Sequence, residues 1–167
     1  MLKSIWLAAL MVCAAGPLVN KSSVAAVKTD VTLSGAAKTC FNTSIVPVGG
    51  VSVGFYDVKH ARPLVAHLDS MANFRGFGPD GLDTVATHEF DVLESTMQRM
   101  AATTKAIARR TSAGDGSFSA TISPVDSVLV LGYENMEDEP YVYAFKTMSG
   151  VRSSTFILDM SRGQCGL

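Results

Sequence analysis

Hydrophobic and polar residues alternate in several short segments of the chain, and this alternation predicts β-strands. Val51, Val53 and Phe55 fall on one face of residues 51–56, and a period of two residues is typical of a half-buried strand. The run 128–131 is apolar throughout, as a central strand would be. Further strand-like segments are residues 118–122, 141–145 and 155–160. Turn residues separate these segments, so the pattern predicts an antiparallel β-sandwich.

A different period occupies the middle of the chain and predicts one long amphipathic helix. Its apolar stripe recurs every three or four residues and consists of Phe90, Leu93, Met97, Met100, Thr104 and Ile107. Gly114 follows at the place where a helix stop is expected. We therefore predict a helix over about residues 84–110, inserted between strands and lying across an open face or edge of a sheet.

The N-terminus has the three-part pattern of a secretory signal peptide. Lys3 is followed by an apolar run of 11 residues, Ile5 to Ala15, and then by small residues. That order of charge, apolar run and small residues is typical of an export signal, and the run is too short for a membrane span. We assign residues 1–26 to the signal and its cleavage region. Cys13 lies within the run, and lipidation of this residue stays open.

The rest of the chain is predicted to be a flexible lead-in over residues 27–37 and one β-sandwich domain over residues 38–167. With the signal removed, Cys40 and Cys165 remain, and an even number of cysteines in an exported protein predicts a disulfide. The expected location is therefore secreted or periplasmic.

Composition narrows the range of functions. Hydrophobic residues make up 47 % of the 167 residues, a share that excludes a disordered chain. The net charge is −1, whereas nucleic-acid binding normally needs an excess of positive charge. No apolar run reaches the roughly 18 residues of a membrane span. We expect neither a nucleic-acid partner nor a stable membrane span.

Two segments resemble the carboxypeptidase regulatory-like domains and the related prealbumin-like and Cna-B-type sandwiches. Residues 110–118, RTSAGDGSF, resemble the turn by which those domains enter a strand, and residues 50–53, GVSV, resemble one of their strands. The resemblance covers about 35 residues. It departs from the family where some 50 residues and a helix separate the two segments. It implies a sandwich of about seven strands that spaces, binds or stabilises, without catalysis.

Candidate chemistry is sparse. His60, His67 and Asp57 could form a metal or general-base site, since imidazole and carboxylate are common zinc ligands, but solvated histidines explain the same spacing. Phe74, Arg75 and Phe77 lie in a glycine-rich loop that could be a binding loop or could tuck its aromatic rings under the helix. We find no catalytic signature and expect no cofactor.

The sequence thus predicts an exported, non-enzymatic β-sandwich module with a structural or binding role. Its partner would be a protein or a carbohydrate, and its oligomeric state stays open. Two alternatives remain. One is a small secreted metal-dependent hydrolase that uses His60, His67 and Asp57. The other is a subunit of a surface assembly such as a pilus or adhesin, in which the sandwich accepts a strand from its neighbour.

Overall fold

The computed structural model describes residues 29–41, 44–74, 77–78, 81–82, 84–134 and 142–161. The predicted signal peptide and Cys13 lie outside these ranges. In chain order the elements are β1 (Val31–Phe41), β2 (Ser44–Pro47), β3 (Ser52–Asp57), α1 (Arg62–Ala72), β4 (Phe77–Gly78), β5 (Gly81–Leu82), α2 (Thr84–Thr103), β6 (Ala108–Thr111), β7 (Ser117–Ile122), β8 (Ser127–Glu134), β9 (Val142–Ser149) and β10 (Ser154–Asp159). Eight of the strands form two sheets, which confirms the predicted sandwich. Neither described helix is long and apolar enough to cross a membrane.

The first sheet is built around β1. Strands β7 and β2 pair with successive parts of one edge of β1, both antiparallel. Strand β10 pairs with the other edge and runs parallel to β1, with Leu33 opposite Ser154 and Lys38 opposite Asp159. Among the described strands this parallel pair is the exception to the predicted antiparallel arrangement. A parallel partner is possible here because the intervening chain is long enough to return to the same end of the sheet.

Residues 31–37, which lie within the flexible lead-in predicted over residues 27–37, form most of this central strand. Small and polar residues dominate it, and they concealed an alternation in which Leu33, Gly35 and Ala37 are buried. Gly35 is required by packing, because a Cβ atom at this position would collide with the ring of Phe118. The buried face of β1 therefore carries no side chain at Gly35, which allows the ring of Phe118 to lie directly on the backbone there.

The second sheet has the order β6–β3–β8–β9, and every pairing is antiparallel. One face packs on the first sheet and forms the inter-sheet core, where Phe118 lies 6.2 Å from Phe55 and 5.7 Å from Phe156 between ring centroids. The opposite face packs on both helices and forms the helix-side core, to which β8 contributes Leu129 and Leu131. Burial on both faces explains why residues 128–131 are apolar without interruption.

Helix α1 is not among the elements predicted from the sequence, because a proline inside a helix usually disrupts it. Pro63 occupies the first turn of α1, where its missing N–H costs nothing and its fixed φ suits the helix. Leu64, Leu68 and Met71 are buried, and their spacing of four and three residues was the available sequence signal.

Helix α2 ends at Thr103, seven residues before the predicted end. Ile107 fits the apolar stripe, but it packs against the inter-sheet core, and its N–H donates to the carbonyl of Phe55 at 2.7 Å. The next residues form β6, from which the Arg109 guanidinium reaches back to the carbonyls of Ala101 (2.8 Å) and Ala102 (3.3 Å). A cation near a helix C-terminus is favourable, so Arg109, although it lies on β6, stabilises the C-terminal end of α2.

The same helix end is tied to the second sheet by Tyr56, whose hydroxyl donates to the carbonyl of Ala101 at 3.1 Å. Burial raises the pKa of the Tyr56 phenol above its usual value near 10, Arg109 opposes this shift, and Tyr133 adds to it. The folded state therefore holds this proton more tightly than the unfolded chain. The resulting stabilisation is present below pH 10 and is lost as the pH rises through the folded pKa.

We expect Tyr56→Phe to reduce the free energy of unfolding by about 1 kcal/mol at neutral pH, because one buried hydrogen bond is lost. The variant should also lose less stability above pH 10 than the wild type does. Urea unfolding at neutral and alkaline pH measures both effects. Tyr133→Phe is the matched control for the effect at neutral pH, since it removes a phenol from the neighbouring strand and leaves the bond to Ala101 intact. Equal alkaline sensitivity in wild type and Tyr56→Phe would contradict this assignment.

Candidate functional site

An aromatic cleft of about 600 Å³ opens on the side of the molecule where the helices meet the edges of both sheets. The helical segments contribute its wall, β9 its long side and β10 its far rim. Its lining residues are Met71, Ala72, Phe74, Phe90, Tyr143, Ala144, Phe145, Lys146, Ile157 and Asp159. The volume is within the range of about 300–1,000 Å³ that is usual for ligand pockets.

Three rings form a ladder along the wall of the cleft. Phe74 follows α1, and its N–H donates to the carbonyl of Met71 at 3.1 Å. Its ring centroid lies 5.5 Å from that of Phe90 on α2, which in turn lies 6.5 Å from Tyr143 on β9. Such separations are typical of interacting aromatic pairs. The ladder thus joins α1, α2 and the sheet, and it gives the cleft an apolar aromatic wall.

The rim of the cleft is partly charged. Lys146 is exposed on β9, and Asp159 is half-buried at the end of β10. The Asp159 carboxylate accepts hydrogen bonds from the backbone N–H of Ser161 at 2.9 Å and from the Ser161 hydroxyl. Ile157 lies on the same rim with 42 % of its surface exposed. The arrangement favours an apolar group held against the aromatic wall and a polar or charged group near the rim.

The predicted binding loop contributes to this cleft through Phe74. This ring is half-buried and packs against the helix-side core, as expected for a ring tucked under the helix, and it also lines the cleft. Arg75 and the side chain of Phe77 lie outside the described residues. The role of those two residues stays a prediction.

His60, His67 and Asp57 do not form one site. Asp57 Oδ2 lies 3.0 Å from His60 Nδ1, and Asp57 Oδ1 accepts the N–H of Lys59 at 2.9 Å, so this carboxylate organises the turn that leads into α1. The His60 side chain is 71 % exposed. His67 Nε2 instead donates to the carbonyl of Leu93 at 2.8 Å and joins the two helices. Across the described ranges, no group of three His, Cys, Asp or Glu side chains is placed to hold a metal ion.

Cys40 is half-buried near the end of β1, and Cys165 lies outside the described residues. The disulfide between them and the cleavable signal over residues 1–26 therefore stay predictions at this point.

Sequence reasoning missed the cleft itself. The alternation of Tyr143 and Phe145 predicted a strand, and this was the available signal. Across the cleft from these two aromatic rings lie Phe90 of α2, which was predicted as a helix, and Met71, Ala72 and Phe74 of α1 and the chain after it, which were not. The position of β9 at a sheet edge depends on pairings that are far apart in the sequence, and no local pattern carries that information.

No protein-family model matches the sequence, and no curated protein does. Among solved structures, a candidate carbohydrate binding protein from Pseudomonas aeruginosa is similar with a TM-score of 0.42 and 12 % identity, over 78 % of this chain and 88 % of that one. The shaft pilin SpaA of Lactobacillus rhamnosus GG is similar with a TM-score of 0.40 and 10 % identity, over 78 % of this chain and 49 % of that one. The pilus backbone protein RrgB of Streptococcus pneumoniae is similar with a TM-score of 0.32 and 6 % identity, over 77 % of this chain and 41 % of that one. The fold is that of a two-sheet β-sandwich with a helical layer.

Proposed function

We propose that the protein is an exported, non-enzymatic β-sandwich module that binds a ligand or partner in the aromatic cleft. The observation that carries this proposal is the cleft itself, a concave and largely apolar space with a ladder of three rings and a charged rim. Concave sites of this size, apolar with a few polar groups, are the default binding sites of proteins.

Export and the disulfide belong to the same proposal. The signal-like N-terminus supports export, and the register of the first sheet supports the bond. Lys38 lies opposite Asp159, and the N–H of Met160 donates to the carbonyl of Lys38 at 2.7 Å. Continuing this register brings the chain at Ser161 alongside Cys40. Cys165 follows Ser161 by four residues, and each residue can span about 3.3–3.6 Å, so the reach is short.

The cleft can be tested with anilinonaphthalene sulfonate, a probe that combines aromatic rings with one negative charge. We expect a single saturable site by isothermal titration calorimetry. Ala72 is exposed at the end of α1 and lines the cleft, so Ala72→Trp should fill the cleft and weaken binding by about tenfold or more. That factor corresponds to the loss of about 1.4 kcal/mol of binding free energy.

Ala66→Trp is the matched control. Ala66 is an exposed alanine on the same helix and is not one of the cleft residues, so this variant should bind the probe as the wild type does. Equal affinities for the two variants, whether both strong or both weak, would refute the cleft as the binding site. Lys146→Ala is expected to give an intermediate loss, since Lys146 is the one cationic side chain among the described residues that line the cleft.

A further inference from the structure

Strand β9 lies at one edge of the second sheet and is longer and less charged than the strand at the opposite edge. Within the described part of the chain its one ladder is with β8. It is eight residues long, contains no proline and carries one charged residue, Lys146. The opposite edge strand of the same sheet, β6, has four residues, of which two are arginines. Proteins normally protect sheet edges with short strands, charges or prolines, and β9 has little of that protection.

The direction of the backbone groups along β9 follows from the pairings. The carbonyl of Ser127 accepts the N–H of Val58 at 3.1 Å, so Ser127 directs its backbone groups away from β9. Because these directions alternate along a strand, Val128 and Val130 direct theirs toward β9, where Met148 and Lys146 are their partners. The intervening residues Phe145 and Thr147 therefore direct their N–H and C=O groups to the outer edge.

The cleft follows this edge. Four consecutive residues of β9, from Tyr143 to Lys146, line it. Consecutive side chains of a strand point to opposite faces, so a space lined by all four must run along the edge of the strand and not over one of its faces. The outward backbone groups of Phe145 thus lie beside an aromatic wall that can receive side chains.

We propose that β9 binds an extended peptide of another polypeptide, which adds a strand to the second sheet and places alternate apolar side chains in the cleft. This inference rests on the proposed binding function and names its partner. Added strands are held by backbone hydrogen bonds and selected by pockets for alternate side chains. The peptide carries an acidic residue beside Lys146, the one charged residue on β9.

Charge also argues against a second copy of this chain as the occupant. Lys146 lies next to the centre of β9, so a two-fold pairing of β9 with itself brings the two ammonium groups into diagonal positions. Cβ atoms in such positions are about 7–8 Å apart, within reach of long side chains. Like charges placed this close oppose pairing, whereas an acidic residue of a different chain favours it.

The test uses a fluorescein-labelled synthetic peptide of alternating valine and threonine with one central glutamate. Fluorescence anisotropy should show saturable binding. Thr147→Pro removes an outward N–H that β8 does not use and should weaken binding about tenfold. The control Thr147→Val keeps that N–H and the strand preference, and should bind like the wild type. Lys146→Glu should reverse the preference, so that a peptide with lysine in place of glutamate binds more tightly.

Amide hydrogen exchange of the wild type gives a second measurement that needs no variant. On peptide binding, exchange at Phe145 and Thr147 should slow markedly, whereas exchange at Lys146 and Met148, already paired with β8, should change little. If the peptide fails to protect these amides, or if a peptide methylated on alternate backbone nitrogens binds equally well, strand addition is wrong. Cleft binding of the naphthalene probe would still stand in that case. A β9-dependent dimer in sedimentation experiments that the peptide does not dissociate would also overturn the inference.

Discussion

Cys165→Ser is expected to lower the free energy of unfolding by roughly 5 kcal/mol. The predicted bond closes a loop of 125 residues, from position 40 to position 165, and the entropy that such a loop removes from the unfolded chain grows with its length. The effect is comparable to the whole stability of many domains, which is about 5–15 kcal/mol. Urea unfolding of the wild type with and without a reducing agent, and of the variant, measures it.

Three comparisons make this result specific. Cys40→Ser should cost as much as Cys165→Ser, and the double variant should cost no more than either single one, because all three remove the same bond. If the predicted signal is cleaved, Cys13→Ser should leave the unfolding of the mature chain unchanged, since residue 13 lies in that signal. Two titratable thiols in the denatured, unreduced protein would show that the bond does not form.

Phe118→Ala is expected to cost about 3–5 kcal/mol, the usual range for removing a buried aromatic ring. Phe118 lies between Phe55 and Phe156 and covers Gly35. Its removal therefore leaves a cavity that touches both sheets, and a glycine backbone on one side cannot collapse into that space. The midpoint of urea unfolding should fall while its slope stays the same.

Phe41→Ala is the matched control for this core variant. Phe41 is 66 % exposed at the end of β1, so the same chemical change should alter stability by no more than about 0.5 kcal/mol. If Phe41→Ala proved as costly as Phe118→Ala, the assignment of the core to the space between the sheets would be wrong.

Local alternation carried most of the information about the sandwich. Val51, Val53 and Phe55 are buried, as predicted, and the apolar run 128–131 occupies a strand covered on both faces. In each case the pattern of apolar and polar side chains indicates which faces of the strand are buried. The class of fold could therefore be predicted from the sequence.

The remaining features depend on contacts that no local pattern records. Ile107 fits the apolar stripe of a helix, yet it lies just before β6 and packs against the inter-sheet core. Its position in the sequence alone does not distinguish a helical residue from a residue next to a strand. Pro63 would break a helix at an interior position, and only the structure shows that it lies in the first turn of α1, where a proline is compatible with a helix. The cleft was beyond prediction for the same reason, since it needs α1, α2, β9 and β10 to be placed together.

The pairing of β1 with β10 has a consequence for the order in which the molecule assembles. Leu33 of β1 pairs with Ser154 of β10, which follows 121 residues later in the chain. The central strand is therefore synthesised long before its last neighbouring strand. Pairings between distant residues slow folding, and a strand edge left open in the meantime invites aggregation. Truncations that end before Ser154 should therefore be captured by chaperones or precipitate, and the full chain should reach its native state only after synthesis is almost complete.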